Sequence, residues 1–486
     1  MWKLTSAWLP LVLLVVACDA AAPEPEVTAT PAEPLNVVLV LGDALRAKSL
    51  PFYGGDKPTA PFLTALAERS LVYDNAYSHY SSTWATFSNL FTGEPYSALV
   101  DSGRFTAQSR RSHSGGLEES NETLAELLRS AGVRSRAVSA NPYLSKEHGF
   151  GQGFEAFHDW SDWDPDFWES IRKFRAPEVN QVARGYLEEL AAGAEPWFLV
   201  LLYFETHNPY QPGPEQRELL VDAAYPRSDR NRGGTPRDAD GETLKYLTAE
   251  DREWYSESDA EHLKSLYEAE VLAFDAGVRE LFGHLRRLWL LDDTVVIIAA
   301  DHGESLFERG YFGHGFLSRD EVQHVPMLVV NPKTPPRRVS GVTGTSDLFF
   351  SILDHFGVDV EPERRSPWCM DLMNGRQIGS VMLSEGPGKT RVLRDERYSL
   401  YRHLDVEGRF PIPVENGDYL YDRLEDPLET SNLFEQEGRA AEAAAIRERL
   451  FERLVVDLRD RTTTEDPFLE GDEERLRRLR ALGYFD

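Results

Sequence analysis

Three stretches of this chain are apolar without interruption and then stop on a chemically active side chain. Asn36-Val-Val-Leu-Val-Leu-Gly42 ends at Asp43. Trp197-Phe-Leu-Val-Leu-Leu-Tyr-Phe204 ends at Glu205-Thr206-His207, and Thr294-Val-Val-Ile-Ile-Ala-Ala300 ends at Asp301-His302-Gly303. A strand with one wet face alternates polar and apolar residues, so a run without alternation predicts a strand buried on both faces. Val325-Pro-Met-Leu-Val-Val-Asn331 is a fourth such run. Helical patterns lie between them, over Thr59 to Arg69, Leu117 to Ala131 and His262 to Leu291. Strand, helix, strand alternation predicts an α/β fold with a doubly wound, mostly parallel sheet. Such sheets bind ligands outside the C-terminal ends of their strands, where these acids and imidazoles fall.

The rest of the chain divides by composition. Residues 211 to 260 are polar and include Arg-Asn-Arg-Gly-Gly-Thr-Pro-Arg, which reads as a surface insertion or lid on a domain spanning 36 to 384. After about residue 384 the character changes. Arg391-Val-Leu-Arg-Asp-Glu-Arg-Tyr-Ser-Leu-Tyr401 and Asp418-Tyr-Leu-Tyr-Asp422 read as hairpin strands, and 435 to 461 as one amphipathic helix. A smaller C-terminal α+β subdomain over 385 to 486 is expected. No internal repeat is visible.

Of 486 residues, 41% are hydrophobic and 11% aromatic, enough for a large core and against global disorder. There are 81 acidic and 52 basic side chains, a formal charge of -29. That balance excludes a nucleic-acid binder, which needs clustered Lys and Arg. An anionic substrate would need local positive charge, most simply a metal ion, against the field of the whole chain.

The N-terminus reads as an address. Lys3 precedes an apolar stretch from Trp8 to Val16, and Val15-Val16-Ala17-Cys18 resembles a bacterial lipobox. Residues 1 to 18 are expected to be a lipoprotein signal peptide, with Cys18 lipidated. Residues 19 to 35, rich in Ala, Pro, Glu and Thr, are expected to be a flexible tether. The protein is thus expected to be exported and held on the cell-envelope membrane by its lipid. The one other cysteine, Cys369, reads as a packed small hydrophobe.

Further segments appear in order along the chain: Phe52-Tyr-Gly-Gly55, Tyr73-Asp-Asn-Ala-Tyr-Ser78, Leu90-Phe-Thr-Gly93, His207-Asn-Pro-Tyr210, Asp301-His-Gly-Glu304, Gly313-His-Gly315 and Tyr419 to Leu433. Over roughly 36 to 435 these resemble the sulfatases and sulfatase-like hydrolases of the alkaline phosphatase superfamily. The resemblance implies one divalent metal ion (Zn²⁺, Mn²⁺, Mg²⁺ or Ca²⁺) held by Asp43, Asp301, His302 and the nucleophile. Ala44 stands where many sulfatases have a second Asp. Counting back from Leu90 puts Thr83-Trp-Ala-Thr-Phe87 in the nucleophile register. Thr83 then replaces the Cys or Ser that becomes formylglycine, and Phe87 replaces an Arg. No formylglycine is expected. Ser82, then Thr86, are the substitutes for Thr83 if the register is shifted.

The resemblance also implies that His207 and His314 hold the transferring anion and protonate the leaving group. Asn141-Pro-Tyr-Leu144 stands where sulfatases carry Lys-Trp-His-Leu, so Asn141 would donate a hydrogen bond in place of cationic contacts. Tyr203 occupies the position of an Asp found in two-metal relatives, with Glu205 as a substitute carboxylate. Pro209-Tyr210 and the insertion are expected at the leaving group. The implied activity is hydrolysis of sulfate or phosphate esters through Thr83. The lost positive charge suits a phosphodiester or phosphonate at least as well as a sulfate monoester. The substrate would be a sulfated or phosphorylated glycan, lipid or small molecule. Two other readings stand beside it: an inactive scaffold of the same fold that binds an envelope component, and a phosphoryl-group transferase.

Overall fold

The computed structural model describes residues 34–106, 115–164, 173–222, 257–360, 370–404 and 414–459. The signal and all but the end of the tether, Cys18, Cys369 and most of the polar insertion lie outside these residues.

The strands are β1 (Asn36–Gly42), β2 (Leu71–Tyr77), β3 (Phe105–Thr106), β4 (Gly116–Leu117), β5 (Arg134–Ser139), β6 (Ala156–His158), β7 (Trp197–Tyr203), β8 (Thr294–Ala300), β9 (Ser305–Leu306), β10 (Phe312–Gly313), β11 (Met327–Val330) and β12 (Arg337–Gly344), followed by β13 (Met382–Gly386), β14 (Thr390–Arg394), β15 (Tyr398–His403) and β16 (Gly417–Asp422). Eight of them form the main sheet in the order β12-β2-β11-β8-β1-β7-β5-β6. The three long apolar runs are its centre. β1 pairs in parallel with β7 on one side and β8 on the other, and β7 and β8 are buried along their whole length.

The fourth run is a strand too, but β11 runs antiparallel to both β8 and β2. The reason lies in the connection. Between β8 and β11 the chain makes only the β9–β10 ribbon and a single helical turn, Asp320–Gln323. A parallel strand needs a crossover long enough to carry the chain back along the sheet. Without one, β11 starts where β8 stopped and returns.

Helices cover the sheet. The longest, Glu257–Arg287, starts five residues before the patterned segment and ends four residues short of it. It packs closely on Ala176–Ala191: a Cβ at Gly277 would lie 2.4 Å from the Ala176 Cβ. The C-terminal sheet is an antiparallel meander, β13-β14-β15-β16. It begins at Met382, so the change of composition near 384 falls inside its first strand. Ala443, Ile446, Leu450 and Leu454, at three- and four-residue spacing, lie on the buried face of the helix Ala440–Arg459, in one apolar cluster with Leu400 and Leu420 of the sheet. Among the described residues no helix is long and apolar enough to cross a membrane.

Candidate active site

Register alone brings the first two acids together. Gly42 at the end of β1 pairs with Ala300 at the end of β8, so the next residues, Asp43 and Asp301, leave adjacent central strands side by side. Both are fully buried. Asp301 Oδ1 is occupied by the chain itself, accepting from the amides of Ala44 (3.2 Å) and His302 (2.8 Å). Ala44 adopts a left-handed conformation (φ 58°), an uncommon state for a residue with a Cβ.

His302 presents one defined nitrogen to the cluster. Its Nδ1 lies 2.9 Å from the Gly303 carbonyl, which fixes the proton there and leaves Nε2 with its lone pair. Nε2 is 3.5 Å from Asp301 Oδ2 and 3.8 Å from Asp43 Oδ1. Gly303 permits the turn, since a Cβ would meet the Glu321 carbonyl at 2.6 Å.

Thr83 is the first residue of the helix Thr83–Thr92, with Ser82 extended before it as the cap. Its Oγ1 lies 3.2 Å from His302 Nε2 and 3.4 Å from Asn141 Nδ2. The other two candidate hydroxyls are placed differently. Thr86 Oγ1 donates to the Tyr80 carbonyl, and the Ser82 side chain makes no capping bond. Phe87 is fully buried and packs edge-on against Phe91. Asn141, just beyond β5, donates to Asp43 Oδ2 at 2.5 Å. It therefore orients a carboxylate as well as facing the hydroxyl.

The charge in this cluster is unbalanced. Burial, then the neighbouring Asp301 carboxylate, push Asp43 well above the usual carboxylate range, although the Asn141 hydrogen bond works the other way. Burial lowers the pKa of His302, which keeps it neutral. Asp43 Oδ1 and Asp301 Oδ2 have no hydrogen-bond partner. Asp43, Asp301 and His302 each offer a ligand atom, and these atoms lie within 4.8 Å of one another. Two bare carboxylate oxygens and one imidazole nitrogen, all buried, fit a divalent cation.

A second group of side chains faces the first. His314 is in ring contact with His302 (centroids 4.2 Å apart) and with His207 (4.9 Å). His314 Nδ1 is 2.9 Å from Glu304 Oε1, and Glu304 Oε2 accepts from the Tyr210 hydroxyl at 2.8 Å. Glu304 thus holds the His314 ring through Nδ1. Its position in Asp-His-Gly-Glu was the available signal for that role. His207 stacks on Phe204 at 4.5 Å.

Glu205 and Tyr210 are both engaged by their surroundings. Glu205 does not join the metal-capable group. Its Oε1 accepts from the amide of Ala176 at the start of Ala176–Ala191, because its side chain turns from the strand end toward that helix. Tyr210 is buried, with its hydroxyl bound to Glu304.

A doubly wound sheet with acids and imidazoles gathered at its strand ends defines an α/β protein with a ligand site outside the carboxyl ends of its strands. Comparison with known proteins narrows the class. Residues 35–358 match the sulfatase family model. The chain is similar to an N-acetylglucosamine-6-O-sulfatase of Bacteroides thetaiotaomicron, 23% identical over 88% of this chain and 86% of the relative. Among solved structures it superposes on one in complex with its substrate D-glucosamine-2-N,6-O-disulfate (TM-score 0.66, 17% identity, 89% of this chain and 100% of the other). It also superposes on the phosphonate monoester hydrolase of Agrobacterium radiobacter (TM-score 0.62, 16% identity, 87% and 96%). The chain belongs to the sulfatase family.

Proposed function

We propose that this sulfatase-family hydrolase cleaves phosphodiesters or phosphonate monoesters in preference to sulfate monoesters, using Thr83 without modification as its nucleophile. The observation that carries this reading is the Thr83 hydroxyl facing His302 and Asn141, beside two bare carboxylate oxygens. A divalent cation held by Asp43, Asp301 and His302 would supply the positive charge that acidifies a nearby hydroxyl and neutralises an anionic ester. Thr83 Oγ1, its proton passed to solvent, forms the bond to phosphorus or sulfur as the bond to the leaving-group oxygen breaks. His314, oriented by Glu304, gives that oxygen its proton, and His207 and Asn141 hold the non-bridging oxygens. Water then cleaves the threonine ester. The neutral Asn141 adds no charge and so disfavours a doubly charged phosphate monoester. Sulfate monoesters, phosphodiesters and phosphonate monoesters each carry one negative charge, and the preference for phosphorus rests on an unmodified Thr83 in place of formylglycine.

The test is turnover of aryl esters by the protein lacking residues 1 to 18, with and without Zn²⁺, Mn²⁺ and Ca²⁺, and with Thr83→Ala as control. The panel holds a sulfate monoester, a phosphate monoester, a phosphodiester and a phosphonate monoester. Cation-dependent cleavage of the diester or phosphonate, lost in Thr83→Ala, is the expected result. Preference for the sulfate would sink the phosphorus-ester reading. Absence of turnover with cation bound would favour the scaffold reading. We propose also that the protein is exported and anchored through Cys18; labelling with radioactive palmitate, lost in Cys18→Ser, checks this.

A further inference from the structure

The loop that carries His207 closes around a buried cation from another part of the chain. Lys173 Nζ donates to the carbonyl oxygens of Glu205 (2.6 Å), His207 (2.6 Å) and Pro209 (3.2 Å), and lies 3.5 Å from Glu270 Oε1. An ammonium has three protons, and these carbonyls, with the carboxylate at their edge, use all of them. The Lys173 side chain is 6% exposed and that of Glu270 fully buried. Nζ also sits 5.6 Å from the centre of the Phe204 ring, on which His207 stacks.

Glu270 ties this arrangement to the long helix Glu257–Arg287. It takes Arg175 at 2.8 Å and the backbone amide of Gln211, where the loop ends, at 2.6 Å. At its other end Thr206 donates to the Asp43 carbonyl at 2.5 Å. Carbonyl oxygens on alternate residues, 205, 207 and 209, therefore converge on one point inside the curve. With no cation there, these carbonyls would lose the donor on which they converge and would repel one another, and the curve would open.

We propose that Lys173 is a positioning residue, whose ammonium fixes the curve of 205–209 and so the place of the His207 ring beside His314. This rests on the role given to His207 under the proposed function. Lys173 acts through the loop and touches no reacting atom.

The test compares full-length wild type, Lys173→Met and Lys173→Arg. It uses whichever aryl ester the wild type turns over, thermal shift with added cation, and amide hydrogen exchange of 205–211. Misplacing a group by about 1 Å is enough for a fall in kcat on the order of 10²-fold, which is expected in Lys173→Met with KM little changed. Amides of 205–210 should exchange faster, while the cation-induced thermal shift stays as in wild type. Lys173→Arg keeps the charge, but a planar fork cannot converge on three carbonyls, so kcat should fall there too. That variant decides the matter if Lys173→Met does not fold. Wild-type kcat and wild-type loop exchange in a folded variant would overturn the proposal. So would a loss of kcat matched by loss of cation binding and of overall stability, which marks a merely structural lysine. If the wild type turns over no ester, the reading of the site fails. Loop exchange, together with the ¹⁵N shifts of His207, then still decides whether Lys173 sets that ring.

Discussion

Two carboxylates, Asp43 at the end of β1 and Glu385 on β13, are both almost wholly buried, and the chain surrounds them in opposite ways. Glu385 accepts from the amide of Ser97 at 2.9 Å and from its hydroxyl, and it has Arg391 at 3.3 Å and His79 at 3.5 Å. Burial alone would raise its pKa. His79, beside it, and the Arg391 charge outweigh that and bring it to about 2. Asp43 has one amide donor, a second carboxylate beside it and one oxygen with no partner. Its pKa moves the other way. The same fold thus satisfies a buried acid completely in the C-terminal sheet and leaves one incomplete at the strand ends. A buried charge with internal partners maintains structure. A buried charge without them is a site for something that arrives from outside.

The comparison is broken most directly at Thr83. Thr83→Ala should lower kcat by roughly 10⁴- to 10⁶-fold, as loss of a nucleophile does. It should leave the melting temperature nearly unchanged, because the hydroxyl answers to the site. Glu385→Gln should do the reverse, with activity near neutral pH retained and acid stability altered. A carboxyl whose folded pKa lies below its unfolded value binds fewer protons when folded, so stability rises with pH across the gap. Glu385 therefore contributes fully above its ordinary value of 4.5, and the contribution is lost as pH falls toward 2. That contribution is about 3 kcal/mol, at 1.36 kcal/mol per unit. Urea melts from pH 5 to 2 should show a steep acid limb in wild type and a flatter one in Glu385→Gln.

Cation addition sharpens the contrast from the other side. At 100 times Kd, a divalent ion that binds only the folded protein should add about 2.7 kcal/mol, read as a rise in melting temperature. Asp301→Ala should abolish the rise, whereas Glu385→Gln should leave it intact. The smallest effect is expected at Ala44. Ala44→Gly removes the left-handed strain but frees the unfolded chain, so stability should change by no more than about 1 kcal/mol. A larger loss in a chemical-denaturation curve would show that the Ala44 methyl is packed as part of the site.

The central part of this arrangement is readable from side chains alone. Strands buried on both faces announce themselves by composition, and their C-terminal ends gather on one edge of a parallel sheet. Asp43, Asp301 and His302 are therefore readable as neighbours. The outer strands are not. β5, Arg-Ser-Arg-Ala-Val-Ser, and β12, Arg-Arg-Val-Ser-Gly-Val-Thr-Gly, mix polar residues among the apolar ones and so give no unbroken apolar run. The direction of β11 is invisible for a different reason. A strand buried on both faces has the same composition whichever way it runs, and only the path of its connection decides. Glu205 misleads because its place after an apolar run suits a ligand equally well as a helix cap. Lys173 gives no signal at all, since its partners are main-chain carbonyls, which every residue has.

The pairing of β1 with β8 also sets when the site can exist. Ala44 and Asp301 hydrogen-bond across 257 residues of sequence, and no shorter piece of chain holds both halves. During synthesis the Asp43 side of the cluster must wait until β8 has emerged and inserted beside β1. Contacts of such long range form late, after the cost of closing the intervening loop has been met. An incomplete or misfolded chain accordingly lacks the cation site altogether, and cation binding reports that the central sheet has been finished.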